Sequence, residues 1–524
     1  MAERFESHAR TVSLLTLVSR VTGLARDATF SRVFGAGPLM DAFFFAFMVP
    51  NLFRRLFGEG ALAAAFLPAY AKLVDENPER ARALASRTIH RLTVTLGAVV
   101  LAGELLLMML STLGDRPPVA IWLMMIMLPY MPLVCLVALL GAMLQVHRRF
   151  GPTAAAPIVL NVCLITAALF GARLSVNLDI VDDERIAHVA LVALAVVIAG
   201  IIQLSWSMLA LRRHPWWQRD TDAARDDLRS VIRQAGPMIL GLGVLQINTL
   251  FDGIIASYPT TVGPMLGSLE YPLQEGAMAG VSFAQRLYQF PLGVFGIAIA
   301  TAIFPLLARQ ADQPEDFATT VRRGLRLVVF IGLPASAGLM LVREPLVAAF
   351  LQGGEFTRED STAVGWILLG YAPAVWAYSM NHVLTRAFYA KGDVRTPVRI
   401  AVRIVLLNLI LNCALIWTPL REAGLAWSTS ICATLQAIWL LRVQGRTSAN
   451  LIDRDVRRSW MRTLGLTLMM TAIVGAATIA WPTITTWRDA VIALPVLTVI
   501  GVLAFGLGAM TLMKQELRWF LGRA

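Results

Sequence analysis

The chain is written as long apolar stretches separated by short polar ones. Runs such as 92–113 and 189–209 hold about the 20 apolar residues that a helix needs to cross ~30 Å of hydrocarbon. Reading every run of that length predicts an all-α, polytopic membrane protein with about fourteen spanning helices. Their extents are roughly 10–35, 39–57, 86–111, 118–145, 154–172, 187–211, 232–258, 276–309, 320–343, 361–390, 396–416, 424–442, 459–481 and 488–513. The stretch 59–75 extends the second helix past a break near Gly58–Gly60. Residues 214–234, with Trp216 and Trp217 as anchors, read as an amphipathic helix lying in the membrane interface.

The first two helices interrupt the apolar pattern with Arg20, Arg26, Asp27, Asp41, Arg54, Arg55 and Glu59. A basic residue at the centre of a lipid-exposed helix costs about 2.5–3.5 kcal/mol, so lipid exposure of them all would cost on the order of 10 kcal/mol. Arg20, Gly23 and Asp27 share one helical face, and Asn51, Arg55 and Glu59 share another. Two arrangements relieve the cost. Arg20 can pair with Asp27 and Arg55 with Glu59, pinning helices together. Alternatively the charges line a polar cavity. With Arg286 of the eighth helix, the arginines outnumber the nearby acids, so such a cavity is net positive. Guanidinium groups clamp phosphate bidentately, which favours a phosphate or pyrophosphate substrate.

A second polar set comprises Asn248 and Asp252 in the seventh helix, Asn408 and Asn412 in the eleventh, and Ser428 and Thr429 in the twelfth. One carboxylate among neutral oxygens suits a hard monovalent cation. Interhelical hydrogen bonding explains the same residues without an ion.

Loop charge predicts the topology. Basic residues crowd one alternating set of loops (Arg80, Arg87, Arg148, Arg149, Arg212, Arg213, Arg322, Arg323, Lys391, Arg395, Arg457, Arg458), which places both termini in the cytoplasm. The halves also resemble each other. Pro50, Phe57-Gly58 and Pro68 match Pro291, Phe295-Gly296 and Pro305, and the segment around Asn161 matches that around Asn408. An offset of six helices preserves orientation, giving parallel lobes with pseudo-two-fold symmetry and a substrate site between them. The expected divisions are an N-lobe at 1–213, a linker at 214–231, a C-lobe at 232–443 and a final helix pair at 444–524.

Composition narrows the class. The 524 residues are 57% hydrophobic and 15% charged, whereas soluble domains carry about 25% charged residues. The formal charge of +12 follows from the loop bias and requires no nucleic-acid partner. The four cysteines sit in apolar segments without metal spacing, and the histidines form no H-E-x-x-H. No P-loop is present, which argues against ATP hydrolysis. The N-terminus lacks a cleavable signal pattern, so the first helix is expected to be retained.

The segments SRVTGLARDATFSRVFGAG, DAFFFAFMVPNLFRRLFGEGALAAAFLPAYA, FAQRLYQFPLGVFGIAIATAIFP and FYAKGDVRTPV resemble the MurJ (MviN) family of lipid II flippases, within the multidrug/oligosaccharidyl-lipid/polysaccharide exporter superfamily. The resemblance implies fourteen helices, a cationic central cavity, and lipid II as the molecule flipped between leaflets of the bacterial inner membrane for peptidoglycan synthesis. It implies no enzyme activity, a monomer surrounded by membrane lipids, and cell-wall synthesis proteins as candidate partners. Carried onto this sequence, the cavity arginines are Arg20, Arg26, Arg54 and Arg286, and the functional acids are Asp27, Asp41 and Glu59. A sodium site seen in some members maps onto Asp252, Asn408, Asn412 and Thr429, and the final helix pair supplies a groove for the lipid tail. Gln285 stands where the family often has Asp, and Asn412 where an acid is expected. The alternative is a cation-coupled drug exporter, or an exporter of another polyprenyl-pyrophosphate oligosaccharide, on the same fold.

Overall fold

In hydrocarbon, backbone amides find no water, so a spanning segment must satisfy them internally. The chain does so with helices, as seen in a computed structural model that describes residues 2–58, 61–112, 118–178, 183–447 and 451–522. The chain divides into two compact units, Met1–Met278 and Ala279–Ala524. The first contains α1 (Ala2–Phe34), α2 (Pro38–Phe53), α3 (Ala61–Glu76), α4 (Pro78–Ser111), α5 (Val119–Met127), α6 (Tyr130–Val146), α7 (Gly151–Leu178), α8 (Glu184–Leu211) and α9 (Arg225–Thr261). The second contains α10 (Ala277–Pro291), whose first two residues still belong to the first unit, then α11 (Ile297–Arg309), α12 (Pro314–Leu341), α13 (Arg343–Leu351), α14 (Arg358–Tyr371) and α15 (Ala374–Ala390). It closes with α16 (Arg395–Leu415), α17 (Glu422–Thr447), α18 (Arg454–Ala480), α19 (Trp487–Leu512) and α20 (Lys514–Phe520).

Among the described residues, eleven helices are long and apolar enough to cross a membrane. They make this a multi-pass membrane protein. Three further long segments (α1, α2 with α3, and α9) hold most of the charges and breaks that the sequence singled out.

Helix breaks recur at matching places. A π-helical turn over Arg54–Gly58 follows α2, and another over Leu292–Gly296 follows α10, each ending on the Phe-Gly pair of the internal repeat. A proline precedes each turn (Pro50, Pro291), where the missing N–H loosens the helical ladder. Pro129 separates α5 from α6, and Pro373 separates α14 from α15. The expected continuation of the second helix is α3. Glu59 and Gly60, between that turn and α3, lie outside the described residues.

The stretch 214–234 differs from its expected form. No separate interfacial helix forms there: 214–221 is non-helical, and the rest is a short 3₁₀ turn (Asp222–Ala224) followed by the first turns of α9. Specific bonds hold this segment to α4. Ser86 receives the Gln218 amide (2.7 Å), Arg87 donates to the Thr221 carbonyl (2.8 Å), and Arg80 forms a bidentate pair with Asp227 (2.6 and 3.0 Å). Amphipathic periodicity is outweighed here by local partners on a neighbouring helix.

In the first unit α1 packs on α7, and α9 packs on α2, α3 and α4. The second unit is centred on α12 and α15 around Phe317, Leu325, Val383, Leu384 and Phe388, all buried. Its C-terminal end is fastened through Glu516, which accepts from Arg326 (2.9 and 2.5 Å) and from Ser459 (2.7 Å).

Candidate functional site

The charges of α1 do not all share one fate. Arg20 is exposed. Six residues further along, ~9 Å up the helix, Arg26 is only 7% exposed and Asp27 3%. Arg26 donates through Nε (3.0 Å) and Nη2 (2.6 Å) to one carboxylate oxygen of Asp27, and through Nη1 to Asn161 Oδ1 on α7 (3.2 Å). The Asn161 amide in turn donates to the Ser19 carbonyl (3.3 Å) and the Thr22 hydroxyl (3.1 Å). Asn161 thus reads both turns of α1 and turns Arg26 inward. Its place in the repeat marked it in the sequence, but its bond to Arg26 spans 135 positions, and no local pattern reports such a bond.

Asp27 therefore pairs with Arg26 rather than Arg20 among the bonds the structure shows. Adjacent helical residues normally diverge; here the long arginine side chain folds back to reach its neighbour.

Arg54 and Arg55 open the π-helical turn and are half-buried. Arg54 Nε donates to Asn51 Oδ1 one turn earlier (3.0 Å). The turn is held to α6, where the Cys135 thiol donates to the Phe53 carbonyl (3.7 Å). The predicted face of Asn51, Arg55 and Glu59 cannot be completed, because Glu59 lies outside the described residues.

Asp41 has a different setting from the one expected of a residue lining a cavity. It is fully buried in the first turn of α2, and one oxygen accepts from the Thr260 hydroxyl (2.7 Å) and the Gly276 amide (2.6 Å). This carboxylate joins the start of α2 to the end of α9 and to the turn before α10. Gly276 has φ +92°, and a Cβ there would lie 2.1 Å from the Ala36 carbonyl oxygen, so the joint requires glycine. Neither Thr260 nor Gly276 carried any signal in the sequence.

Arg286 sits exposed on α10 in the second unit. Its neighbour Gln285 donates to the Tyr371 hydroxyl (3.0 Å), whose ring stacks on Tyr288 at 4.8 Å. Gln285 thus makes a neutral structural bond.

The proposed cation ligands belong to both units. Asp252 lies on α9 in the first unit, where Asn248 Nδ2 approaches its carboxylate at 3.4 Å. Asn408, Asn412 and Thr429 lie in the second. Asn412 donates to Asn408 Oδ1 (3.1 Å), Asn408 donates to the Ser428 hydroxyl (3.3 Å), and that hydroxyl makes a short bond to Asn412 Oδ1. The Thr429 hydroxyl donates to the Leu425 carbonyl (3.0 Å). Each amide oxygen already faces a donor, and the hydroxyls point at protein acceptors. Asn408, Asn412 and Ser428 thus form a polar joint between α16 and α17.

Outside the apolar segments, His147 at the end of α6 stacks on His214 (centroids 4.1 Å apart) and lies 3.2 Å from the Tyr70 hydroxyl. Burial, then the neighbouring His214 and Arg149, lower its pKa from the usual histidine value.

Eleven apolar spanning helices, π-helical turns at matched breaks and a buried guanidinium–carboxylate pair on the first helix define a polytopic membrane protein. Solved structures agree on the fold. A structure described as a lipid II flippase MurJ in an inward-closed conformation superimposes with TM-score 0.78 at 20% identity, over 97% of this chain and 99% of that one. An inward-facing multidrug resistance MATE family transporter of the MOP superfamily gives 0.64 at 14% identity, over 84% and 97%. The model of the family described as lipid II flippase MurJ matches residues 30–499. A probable lipid II flippase MurJ of Vibrio cholerae is 32% identical over 95% of this chain and 93% of its own length. The lipid II flippase MurJ of Burkholderia cenocepacia is 29% identical over 82% of each. The chain belongs to the lipid II flippase MurJ family, a family of transporters rather than enzymes.

Proposed function

We propose that this protein flips lipid II from the cytoplasmic to the outer leaflet of the inner membrane by alternating access, supplying peptidoglycan synthesis. Family membership supports the substrate. The observation that carries the mechanism is the buried Arg26–Asp27–Asn161 cluster in α1. A guanidinium inside a membrane helix is tolerated while Asp27 neutralises it. A pyrophosphate offers the same guanidinium a more highly charged, bidentate acceptor. In this reading the substrate takes over from Asp27, and Arg26 exchanges one anionic partner for another without becoming unpaired. Arg20, Arg54, Arg55 and Arg286 are the further cationic contacts for the substrate in this reading. The segments α1, α2 with α3, and α9 complete a set of fourteen spanning helices, arranged as two six-helix repeats with a final pair that holds the polyprenyl tail. Both termini face the cytoplasm, and the protein works as a monomer.

The test is a leaflet assay for lipid II in cells depleted of the native protein and supplied with variants. Arg26→Ala and Arg286→Ala are expected to abolish translocation while remaining in the membrane at normal levels. Arg26→Lys, which keeps the charge but loses the fork, should retain only a small fraction. Wild-type flipping by both alanine variants would remove the pyrophosphate reading.

A further inference from the structure

Helix α16 carries Arg395, Arg399 and Arg403 at i, i+4 and i+8, one face of the helix. All three are exposed, on the side opposite the buried Ile400, Ile404 and Asn408. No hydrogen bond or ion pair engages their guanidinium groups among the described residues. The acid on the preceding turn, Asp393, caps the helix by accepting the Thr396 amide (3.0 Å), and Arg399 acts on its carboxylate through space without a hydrogen bond.

Depth distinguishes this stripe from ordinary loop charge. α16 has 21 residues, about 31 Å of rise, which barely spans the hydrocarbon. Arg403 lies eight residues in, ~12 Å along the axis, well past the helix start where a loop charge would sit. Its guanidinium is 5.4 Å from the Trp439 ring of α17, an aromatic platform of the kind found at membrane interfaces. Because α16 and α17 are antiparallel neighbours joined by a short turn, Arg442, exposed one turn beyond Trp439, stands about level with Arg399. Beyond Arg403 the same face turns apolar, with Leu406 57% and Ile410 64% exposed. A charged lower half under an apolar upper half has the layering of a lipid, with phosphate below and acyl chain above.

The repeat shows that the fold does not require this stripe. Aligning Asn161 with Asn408 puts Arg148, Pro152 and Ala156 of the first half opposite Arg395, Arg399 and Arg403. The two deeper arginines belong to the second half alone.

We propose that the α16–α17 face is a binding site for the phosphodiester headgroup of an anionic phospholipid. The phosphate lies between Arg399, Arg403 and Arg442, and an acyl chain runs along Leu406 and Ile410. The site lies wholly within the second unit and is separate from the residues assigned to lipid II.

The test is native mass spectrometry of the full-length purified protein titrated with phosphatidylglycerol, phosphatidylethanolamine or undecaprenyl pyrophosphate. The variants are Arg399→Gln/Arg403→Gln, Arg399→Lys/Arg403→Lys, and a control, Arg457→Gln/Arg458→Gln, on the exposed start of α18. Each arginine near an anionic surface contributes about fivefold in affinity, so the glutamine pair should bind one phosphatidylglycerol about thirtyfold more weakly. The lysine pair should retain most of the binding, and the control all of it. Phosphatidylethanolamine should bind weakly to every form, and undecaprenyl pyrophosphate equally to all. Unchanged phosphatidylglycerol binding in the glutamine pair, or an equal loss in the control, overturns the proposal. A selective loss of undecaprenyl pyrophosphate would also overturn it, by giving the stripe to the substrate. Unchanged thermal unfolding of the glutamine pair separates lost binding from lost folding.

Discussion

Removing Asp27 while keeping Arg26 probes why the pair exists. In Asp27→Leu the guanidinium stays where it is 7% exposed, with Asn161 Oδ1 at 3.2 Å as its remaining acceptor. Stripping one partner from a buried ion pair costs about 3–5 kcal/mol, because the surviving charge is left uncompensated. Replacing both members by apolar groups, as in Arg26→Met/Asp27→Leu, removes the charge problem altogether and is expected to be neutral or stabilising by about 1–4 kcal/mol. The double variant should therefore be more stable than Asp27→Leu by at least about 3 kcal/mol. Equilibrium unfolding in mixed detergent micelles, followed by tryptophan fluorescence, measures the cycle. Lipid II flipping measured alongside should be absent wherever Arg26 is replaced, in Arg26→Met and in the stable double variant alike. A stable but inactive double variant would show that the pair is retained for its chemistry and not for stability. If the two single losses simply add in the double variant, within about 0.5 kcal/mol, the ion pair is not coupled as the geometry requires and the reasoning fails.

Three further outcomes follow from particular contacts. Gly276→Ala places a Cβ 2.1 Å from the Ala36 carbonyl at φ +92°; the backbone conformation alone costs about 1–3 kcal/mol, and a sharp drop in thermal unfolding temperature should register it. His147 has a pKa lowered by burial, His214 and Arg149, so the folded state binds a proton less readily than the unfolded one. Its contribution is complete above the ordinary histidine pKa and is lost as pH falls from there toward the folded-state value; melting temperatures between pH 8 and 5 should decline less in His147→Gln. Glu516→Ala leaves Arg326 (14% exposed side chain) without its carboxylate and should destabilise by about 3 kcal/mol, with α20 released to limited proteolysis while the earlier helices stay protected.

What the chain alone determined is what depends on local pattern. Apolar runs of spanning length fixed the helical membrane class, because a run of that length has nowhere else to go. Prolines and the paired Phe-Gly steps located the breaks, since a missing N–H acts on its own helix. Arginines in an apolar background drew attention to α1 and α2 for a reason of cost alone. Which atoms those side chains meet was decided only by packing. The sequence offered Arg20 as a partner for Asp27; the fold gave that carboxylate to Arg26 and added Asn161 from a helix 135 positions away. Asp41 stood out only as a charge in an apolar helix; that Thr260 and Gly276 reach it depends on a long-range closure that helical periodicity does not encode. Asn408 and Asn412 share a helix face by spacing, but only the register of α16 against α17 decided that they bond each other and Ser428. Periodicity is a property of one helix, whereas a hydrogen bond between helices depends on their relative height and rotation, and those are set by every side chain at the interface at once.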